Sequence, residues 1–189
     1  MTETIIDLIP SRAECVELMI RYEMLPNIIE HSRKVMHVAL AITDNLKDGV
    51  AVNRELVGAA ALLHDITKTR SLKTKEPHDK SGGALLRNLG FTSIAGIVEQ
   101  HVILRNFSLQ ESLEEREIIY YADKRVMHDK VVSLRERVQD LICRYGVTEE
   151  VKRHILQNEV QALCVERKIA GLMTVDIHCA IQGMAATGK

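Results

Sequence analysis

Apolar residues recur at helical spacing along most of the chain, and residues that can cap helices precede several of these segments. The segment 27–47 carries apolar side chains at intervals of three and four residues: Val35, Val38, Ile42 and Leu46. This spacing predicts a helix with one buried face, and Gly49 is placed to close it. Asn53 precedes RELVGAAALLHD, whose small residues allow close packing and predict a buried helix ending in polar groups.

Two capping boxes are predicted from a serine followed three residues later by a glutamate. Ser11 with Glu14 predicts a helix that ends near Pro26, and Ser112 with Glu115 predicts a helix over EEREIIYYADKRVMHD. The second of these helices places Asp123 on an apolar face. Between the two, Thr92 or Ser93 is the predicted cap of a short helix that leads to His101.

The remaining segments complete an all-helical pattern. Helices are predicted over 78–90, 131–145 and 148–169, whereas the basic, aperiodic segment TKTRSLKTKEP (67–77) predicts a surface loop. The sequence from Thr174 onward gives no clear pattern. With 3 prolines and few aromatic residues, the composition favours helix over sheet, so we predict an all-α fold.

Length and charge limit the class of protein. A chain of 189 residues with 46% hydrophobic and 27% charged residues fits one globular domain over 1–189. The 25 basic and 26 acidic residues create no global field that would gather nucleic acid or an anionic membrane. The four cysteines form no CxxC pair, and we see neither a signal sequence nor a long apolar span, so a cytoplasmic protein is expected.

Six polar residues stand where the apolar pattern expects hydrophobic side chains, or where helices end: His31, His64, Asp65, His78, His101 and Asp123. Taken alone, a histidine on an apolar face is more often a hydrogen-bonded core residue than a ligand. A buried carboxylate without a cation, however, costs several kcal/mol. Because these residues lie on separate helices that share one core, one metal cluster explains them more economically than several independent networks.

The ligand types narrow the choice of metal. Imidazole and carboxylate suit Fe, Mn, Co, Ni or Zn, and no cysteine lies near these positions to form a structural zinc site. Six ligands are too many for one open catalytic ion and suit two divalent ions bridged by a carboxylate such as Asp65. Such a centre would attract a phosphate and lower the pKa of a bound water from about 15.7 toward 7.

The order HSRKVMHVA, ALLHDITK and YYADKRV resembles the HD-domain (HDIG-type) metal-dependent phosphohydrolases over about residues 25–145. The resemblance implies a compact helical bundle of the HD-domain type with additional C-terminal helices over about 148–189. It also implies that His31, His64, Asp65 and Asp123 hold one ion, while His78 and His101 resemble the extra histidines of members that bind two metals. Thr67 replaces the glycine of the HDIG motif. The chain lacks the GYP tripeptide of the related HD-GYP cyclic-dinucleotide phosphodiesterases, so cleavage of cyclic dinucleotides is not expected.

The function implied is hydrolysis of a nucleotide or a related phosphoester or phosphoanhydride by metal-activated hydroxide. Asp65 and Lys68 are the candidate catalytic residues, Lys68 because the family has a lysine at the corresponding place after the His-Asp doublet. The expected partner is a small phosphorylated substrate, with no nucleic acid and no membrane, and the chain can form a homo-oligomer. Two alternatives stay open: a diiron oxygenase that uses the same ligands, and a non-catalytic metal-binding regulatory module.

The two ions are expected to differ in exposure. His78 follows the predicted polar loop and His101 ends a short helix, so the second ion should lie on mobile segments and be more exposed than the first. The other four histidines are expected at the surface: His37, His128, His154 and His178.

Overall fold

The computed structural model describes residues 7–183, and helices dominate them. These residues form ten helices: α1 (Arg12–Arg21), α2 (Pro26–Thr43), α3 (Arg54–Leu63), α4 (Lys68–Thr74), α5 (His78–Asn88), α6 (Thr92–Val98), α7 (Glu115–Lys124), α8 (Leu134–Tyr145), α9 (Glu149–Leu172) and α10 (Ile177–Gly183). One antiparallel hairpin of two short strands, β1 (Val126–Met127) and β2 (Lys130–Val131), joins α7 to α8. The all-α prediction is therefore confirmed.

The centre of the fold is built from α2, α3 and α7. Helix α3 packs along α2, because Ala59, Ala60 and Ala61 are buried and leave room for a close approach. Helix α7 contacts both of these helices and buries the two consecutive aromatic side chains of Tyr120 and Tyr121. The packing brings the end of α3 next to the last turn of α7, and both ends carry candidate ligands.

The predicted helix over 114–129 is wrong beyond Lys124. The chain turns instead through the β1–β2 hairpin, in which Val126 pairs with Val131 and Met127 pairs with Lys130. His128 lies at the tip with a φ of 57°, a left-handed conformation that a continuing α-helix does not allow. The hairpin contacts α2, so tertiary packing outweighs the helical pattern there.

The predicted loop over 67–77 contains helix α4, which is a second correction. None of the residues of α4 is buried, so the segment has no apolar face from which the helix could have been recognised. Ser71 Oγ donates to the Lys68 carbonyl at 2.8 Å, and the helix ends at Lys75 with a φ of 63°. Helix α4 places Lys68 in the first turn after the His64-Asp65 doublet.

The predicted cap at Ser11 is confirmed, because the Ser11 and Glu14 side chains satisfy each other's backbone N–H groups. The box at Ser112 and Glu115 is wrong: α7 begins after Glu114, whose N–H donates to the Glu117 carboxylate at 3.2 Å. The Glu115 carboxylate accepts instead from the Asn53 N–H, a long-range contact that a local pattern does not reveal.

The predicted cap at Thr92 or Ser93 is also wrong. Helix α6 begins after Phe91, with no side-chain cap. The Ser93 N–H instead donates to the Asp7 carboxylate at 3.2 Å, so this start is fixed by a residue distant in sequence.

The C-terminal helices pack on the rest of the fold. Helix α9 contacts α7 and α8, and α10 contacts α2. An isolated bridge between Leu46 and Met173, together with a bond of 2.8 Å from the Lys47 N–H to the Leu172 carbonyl, ties the end of α9 to the segment after α2. Within residues 7–183, every helix is too short or too polar to cross a membrane.

A buried ion pair joins α7 to α9. Lys168 Nζ lies 2.8 Å from the Glu117 carboxylate and also donates to the carbonyls of Ser108 and Ser112.

Replacing Lys168 with methionine should lower the free energy of unfolding by about 3 kcal/mol or more, because the buried Glu117 charge loses its partner. Lys152→Met on the same helix is the control, since Lys152 forms an exposed pair with Glu149 and should change stability by less than about 0.5 kcal/mol. Denaturant titration measures both, and equal losses would contradict the prediction.

Candidate metal centre

The six predicted ligands converge at one end of the central helices. His31 lies on α2 and Asp123 in the last turn of α7, while His64 and Asp65 immediately follow α3. His78 is the first residue of α5, and His101 follows α6. Each residue belongs to, or directly adjoins, a helix that packs into the core, so the backbone holds every donor in place.

The first group contains His31, His64, Asp65 and Asp123. His31 Nε2 lies 3.1 Å from Asp123 Oδ1, and His64 Nε2 lies 3.8 Å from the same oxygen and 3.6 Å from Asp65 Oδ2. One donor atom from each of His31, His64 and Asp65 falls within 4.8 Å of the other two. These four side chains therefore surround a single small volume.

The second group contains Asp65, His78 and His101. His78 Nε2 lies 3.1 Å from Asp65 Oδ1 and 3.1 Å from His101 Nε2, and His101 Nε2 lies 3.6 Å from Asp65 Oδ1. Asp65 directs Oδ2 toward the first group and Oδ1 toward the second. It is the residue common to both groups.

Backbone carbonyls orient three of the imidazole rings. Nδ1 of His31 lies 2.9 Å from the His128 carbonyl, Nδ1 of His64 lies 2.7 Å from the Ala61 carbonyl, and Nδ1 of His101 lies 2.7 Å from the Val98 carbonyl. A carbonyl only accepts, so each Nδ1 carries the proton and each Nε2 presents its lone pair to the cluster. Metal-binding histidines commonly have such an outer partner.

The donor atoms fit divalent metal ions. His64 Nε2 and Asp65 Oδ1 are buried and make no hydrogen bond within residues 7–183, although such atoms normally have a partner. Two donors about 2.1 Å from one ion are about 3.0–3.4 Å apart at angles of 90–109°, close to the separations of 3.1–3.8 Å found here. The residues present therefore suit a metal centre of nitrogen and oxygen ligands.

The electrostatics of the cluster favour ligands in the required protonation states. Burial lowers the pKa of His64 to about 4, so its imidazole is neutral near pH 7. Burial opposes ionisation of Asp65, but His64, Lys68 and the neighbouring histidines outweigh it and hold the pKa of Asp65 well below its usual range. A neutral imidazole and an ionised carboxylate are the forms that bind a metal.

The expected difference in exposure between the two groups is not found. The side chains of His78 and His101 are 17% and 2% exposed, against 12% for His31, 0% for His64 and 16% for Asp123. His101 is buried because it lies three residues after the end of α6, and α6 packs against α3, α5 and α7.

Two lysines lie beside the ligands. Lys68 Nζ is 3.0 Å from His78 Nε2 and 3.6 Å from Asp65 Oδ1. Lys124 Nζ donates to the His101 carbonyl at 3.0 Å and lies 3.5 Å from the centre of the Tyr120 ring. Burial lowers the pKa of Lys124 to about 8, although the Asp123 charge opposes this change. Both lysines face the cavity described next.

A cavity of about 240 Å³ opens onto the cluster. One side, which carries the candidate metal ligands, is formed by His31, Asp65, His78, His101 and Asp123. The opposite wall comes from α8 and α9 and is mainly aliphatic, with three polar or charged members: Leu134, Arg137, Val138, Leu141, Ile155, Asn158, Glu159 and Ala162. Sequence reasoning missed this wall because its residues form an ordinary amphipathic pattern and carry no metal ligand.

The other histidines and arginines lie away from the ligand side. The side chains of His37, His128, His154 and His178 are exposed, as expected, although the His128 carbonyl orients His31. Arg33 and Arg70 pair with nearby glutamates at the surface. Arg125, in contrast, is buried and contacts Tyr121 and Glu166.

Three relatives share a large part of this sequence. An uncharacterized protein of Methanocaldococcus jannaschii is 27% identical over 148 residues, which is 70% of this chain and 86% of that protein. The tRNA (cytidine(56)-2'-O)-methyltransferase of Thermoplasma volcanium is 28% identical over 162 residues, 78% of this chain and 46% of the enzyme. The methyltransferase of the same name from Picrophilus torridus is 26% identical over 171 residues, 82% of this chain and 48% of the enzyme. The chain thus spans about half the length of the two methyltransferases. No solved structure matches significantly.

The model of the HD domain matches residues 28–128, more than half of the chain. The matched segment contains all six convergent side chains and ends before the aliphatic wall begins. HD domains are generally metal-dependent hydrolases of a phosphohydrolase superfamily. The chain belongs to the HD-domain family.

Proposed function

We propose that this protein hydrolyses a phosphoester or phosphoanhydride bond of a small phosphorylated substrate of the nucleotide class. The observation that carries the proposal is the position of Asp65, whose two carboxylate oxygens face the two ligand groups 3.1–3.6 Å from the nearest imidazole nitrogens. His31, His64, Asp65 and Asp123 would hold one divalent transition metal ion. Asp65, His78 and His101 would hold a second.

Divalent ions bound there would supply Lewis acidity and lower the pKa of a coordinated water toward 7. The chain's own residues supply the remaining requirements. Lys68 and Lys124 present ammonium groups beside the ligands, where each can donate to a phosphate oxygen. The backbone partners of His31, His64 and His101 keep those rings in one orientation, and the wall of α8 and α9 limits access of water. The methyltransferase activity in the names of two relatives does not enter the proposal, because the match covers less than half of either protein.

The test is metal analysis combined with a substrate screen. Protein reconstituted with Mn²⁺ or Fe²⁺ should bind more than one equivalent of metal per chain. It should release phosphate from some member of a panel of nucleotides and dinucleoside polyphosphates, under anaerobic as well as aerobic conditions. Turnover that strictly requires dioxygen would favour the oxygenase alternative. Saturation at one metal ion per chain would contradict the proposal of two ions. A fully metal-loaded protein that hydrolyses none of the phosphate compounds would contradict the proposed hydrolase activity.

A further inference from the structure

Two cationic side chains line the cavity and have no role in holding a metal ion. They are Lys124, on α7, and Arg137, on α8. Neither is among the six ligands, and Arg137 lies outside the segment 28–128 that matches the HD domain.

Arg137 retains unused hydrogen-bonding capacity and positive charge. Its Nε is buried and makes no hydrogen bond within the part of the chain that the structure describes. One terminal nitrogen contacts Asp140 at 3.1 Å, but Asp140 also pairs with Arg144, so these three side chains together carry a net positive charge. Arg137 lines the cavity, and its guanidinium has terminal N–H groups beyond the one that contacts Asp140, which can donate to an anion there.

Lys124 also has capacity for a further hydrogen bond, although it directly follows Asp123 in the chain. Its ammonium group donates to the His101 carbonyl and lies over the Tyr120 ring, but within residues 7–183 it has no ion-pair partner within 4.0 Å. Arg137 lines the same cavity as Lys124, so an anion bound there lies near both cations. Glu159 also lines the cavity but forms no ion pair at that distance in the described residues.

The position of Lys124 places this pair next to the metal ligands. Lys124 immediately follows Asp123, and its Nζ lies 3.0 Å from the carbonyl oxygen of His101. Lys68, in contrast, contacts His78 and Asp65. The cavity therefore has three cations along its lining: Lys68 at the second ligand group, Lys124 beside Asp123 and His101, and Arg137 on α8.

We infer that Lys124 and Arg137 form an anion-binding subsite that holds a second phosphate group, adjacent to the phosphate that reacts at the metal centre. This inference rests on the proposed function, and it narrows the substrate class to compounds with two adjacent phosphates, such as nucleoside diphosphates or polyphosphates. The aliphatic side chains of α8 and α9 would contact the uncharged part of the substrate.

Isothermal titration calorimetry of the Mn²⁺-loaded protein with two inert probes tests the subsite. Orthophosphate carries one phosphate, and methylenediphosphonate carries two phosphorus groups joined by carbon and cannot be hydrolysed. With saturating Mn²⁺ in both solutions, the wild type should bind the diphosphonate at least about tenfold more tightly than orthophosphate, because charge-assisted hydrogen bonds to Arg137 and Lys124 are added.

Arg137→Gln should remove most of that preference and leave orthophosphate affinity and Mn²⁺ content unchanged. Arg144→Gln is the matched control: it lies on the same helix and shares Asp140, but it does not line the cavity, so the preference should persist. Equal affinities of the wild type for the two probes, or an unchanged preference in Arg137→Gln, would overturn the subsite while leaving the hydrolase proposal intact. Failure of the loaded protein to bind either probe would overturn both.

Discussion

Replacing Asp65 with alanine is expected to abolish metal retention and turnover together. Asp65 is the one side chain common to both ligand groups, with Oδ2 facing His64 and Oδ1 facing His78 and His101. Loss of an outer partner of a metal ligand already costs about 10–100-fold in affinity or activity, so loss of a shared ligand should cost more than about 100-fold. Metal content by mass spectrometry and steady-state turnover on the best substrate of the screen measure the effect.

The matched control for Asp65 is His37→Ala. His37 lies on α2 with the ligand His31, but its side chain is exposed on another face of the helix. The variant should keep wild-type metal content and turnover. Equal losses of metal content and turnover in the two variants would mean that the faces of α2 are wrongly assigned.

The second prediction separates the two ions. His78→Ala and His101→Ala should each lose one ion and most of the activity, and should keep the ion held by His31, His64, Asp65 and Asp123. If His101 were only a core residue, the substitution would leave metal content unchanged, with a stability loss of roughly 1–3 kcal/mol from a broken buried hydrogen bond.

Metal titration followed by thermal unfolding distinguishes these outcomes. The control is His154→Ala, which removes an exposed histidine of α9 and should leave both sites loaded. Two ions bound in both His78→Ala and His101→Ala would contradict the assignment of the second group. A variant that binds no ion but still unfolds cooperatively would show that the two sites are filled only together.

The six convergent residues could be found in the sequence because a polar residue on an apolar helix face is a strong local signal. His31 and Asp123 interrupt stripes of buried residues, and His64 and Asp65 end a helix of small apolar residues. Their grouping around Asp65 also follows from packing, since helices that share a core bring their inward faces together. The sequence therefore indicated the six convergent positions without any long-range information.

The features that sequence reasoning missed depend on contacts between distant segments. The β1–β2 hairpin replaces a helical pattern because it packs on α2, and it supplies the His128 carbonyl that orients His31. Ser112 and Glu115 have the spacing of a capping box, but the Ser112 carbonyl accepts from Lys168 and the Glu115 carboxylate from Asn53. Helix α4 has no buried residue and hence no apolar periodicity to detect.

The opposite walls of the cavity come from separate stretches of the chain. All six candidate ligands lie within the segment matched by the HD domain, residues 28–128, whereas Leu134, Arg137, Val138 and the α9 residues follow it. Substitutions in α8 and α9 can therefore alter which molecule fits the cavity without displacing any candidate ligand. Under the proposed function, a chimera can be built from two relatives, with residues up to the hairpin taken from the first and the final helices from the second. It would have the reaction of the first parent and the substrate choice of the second.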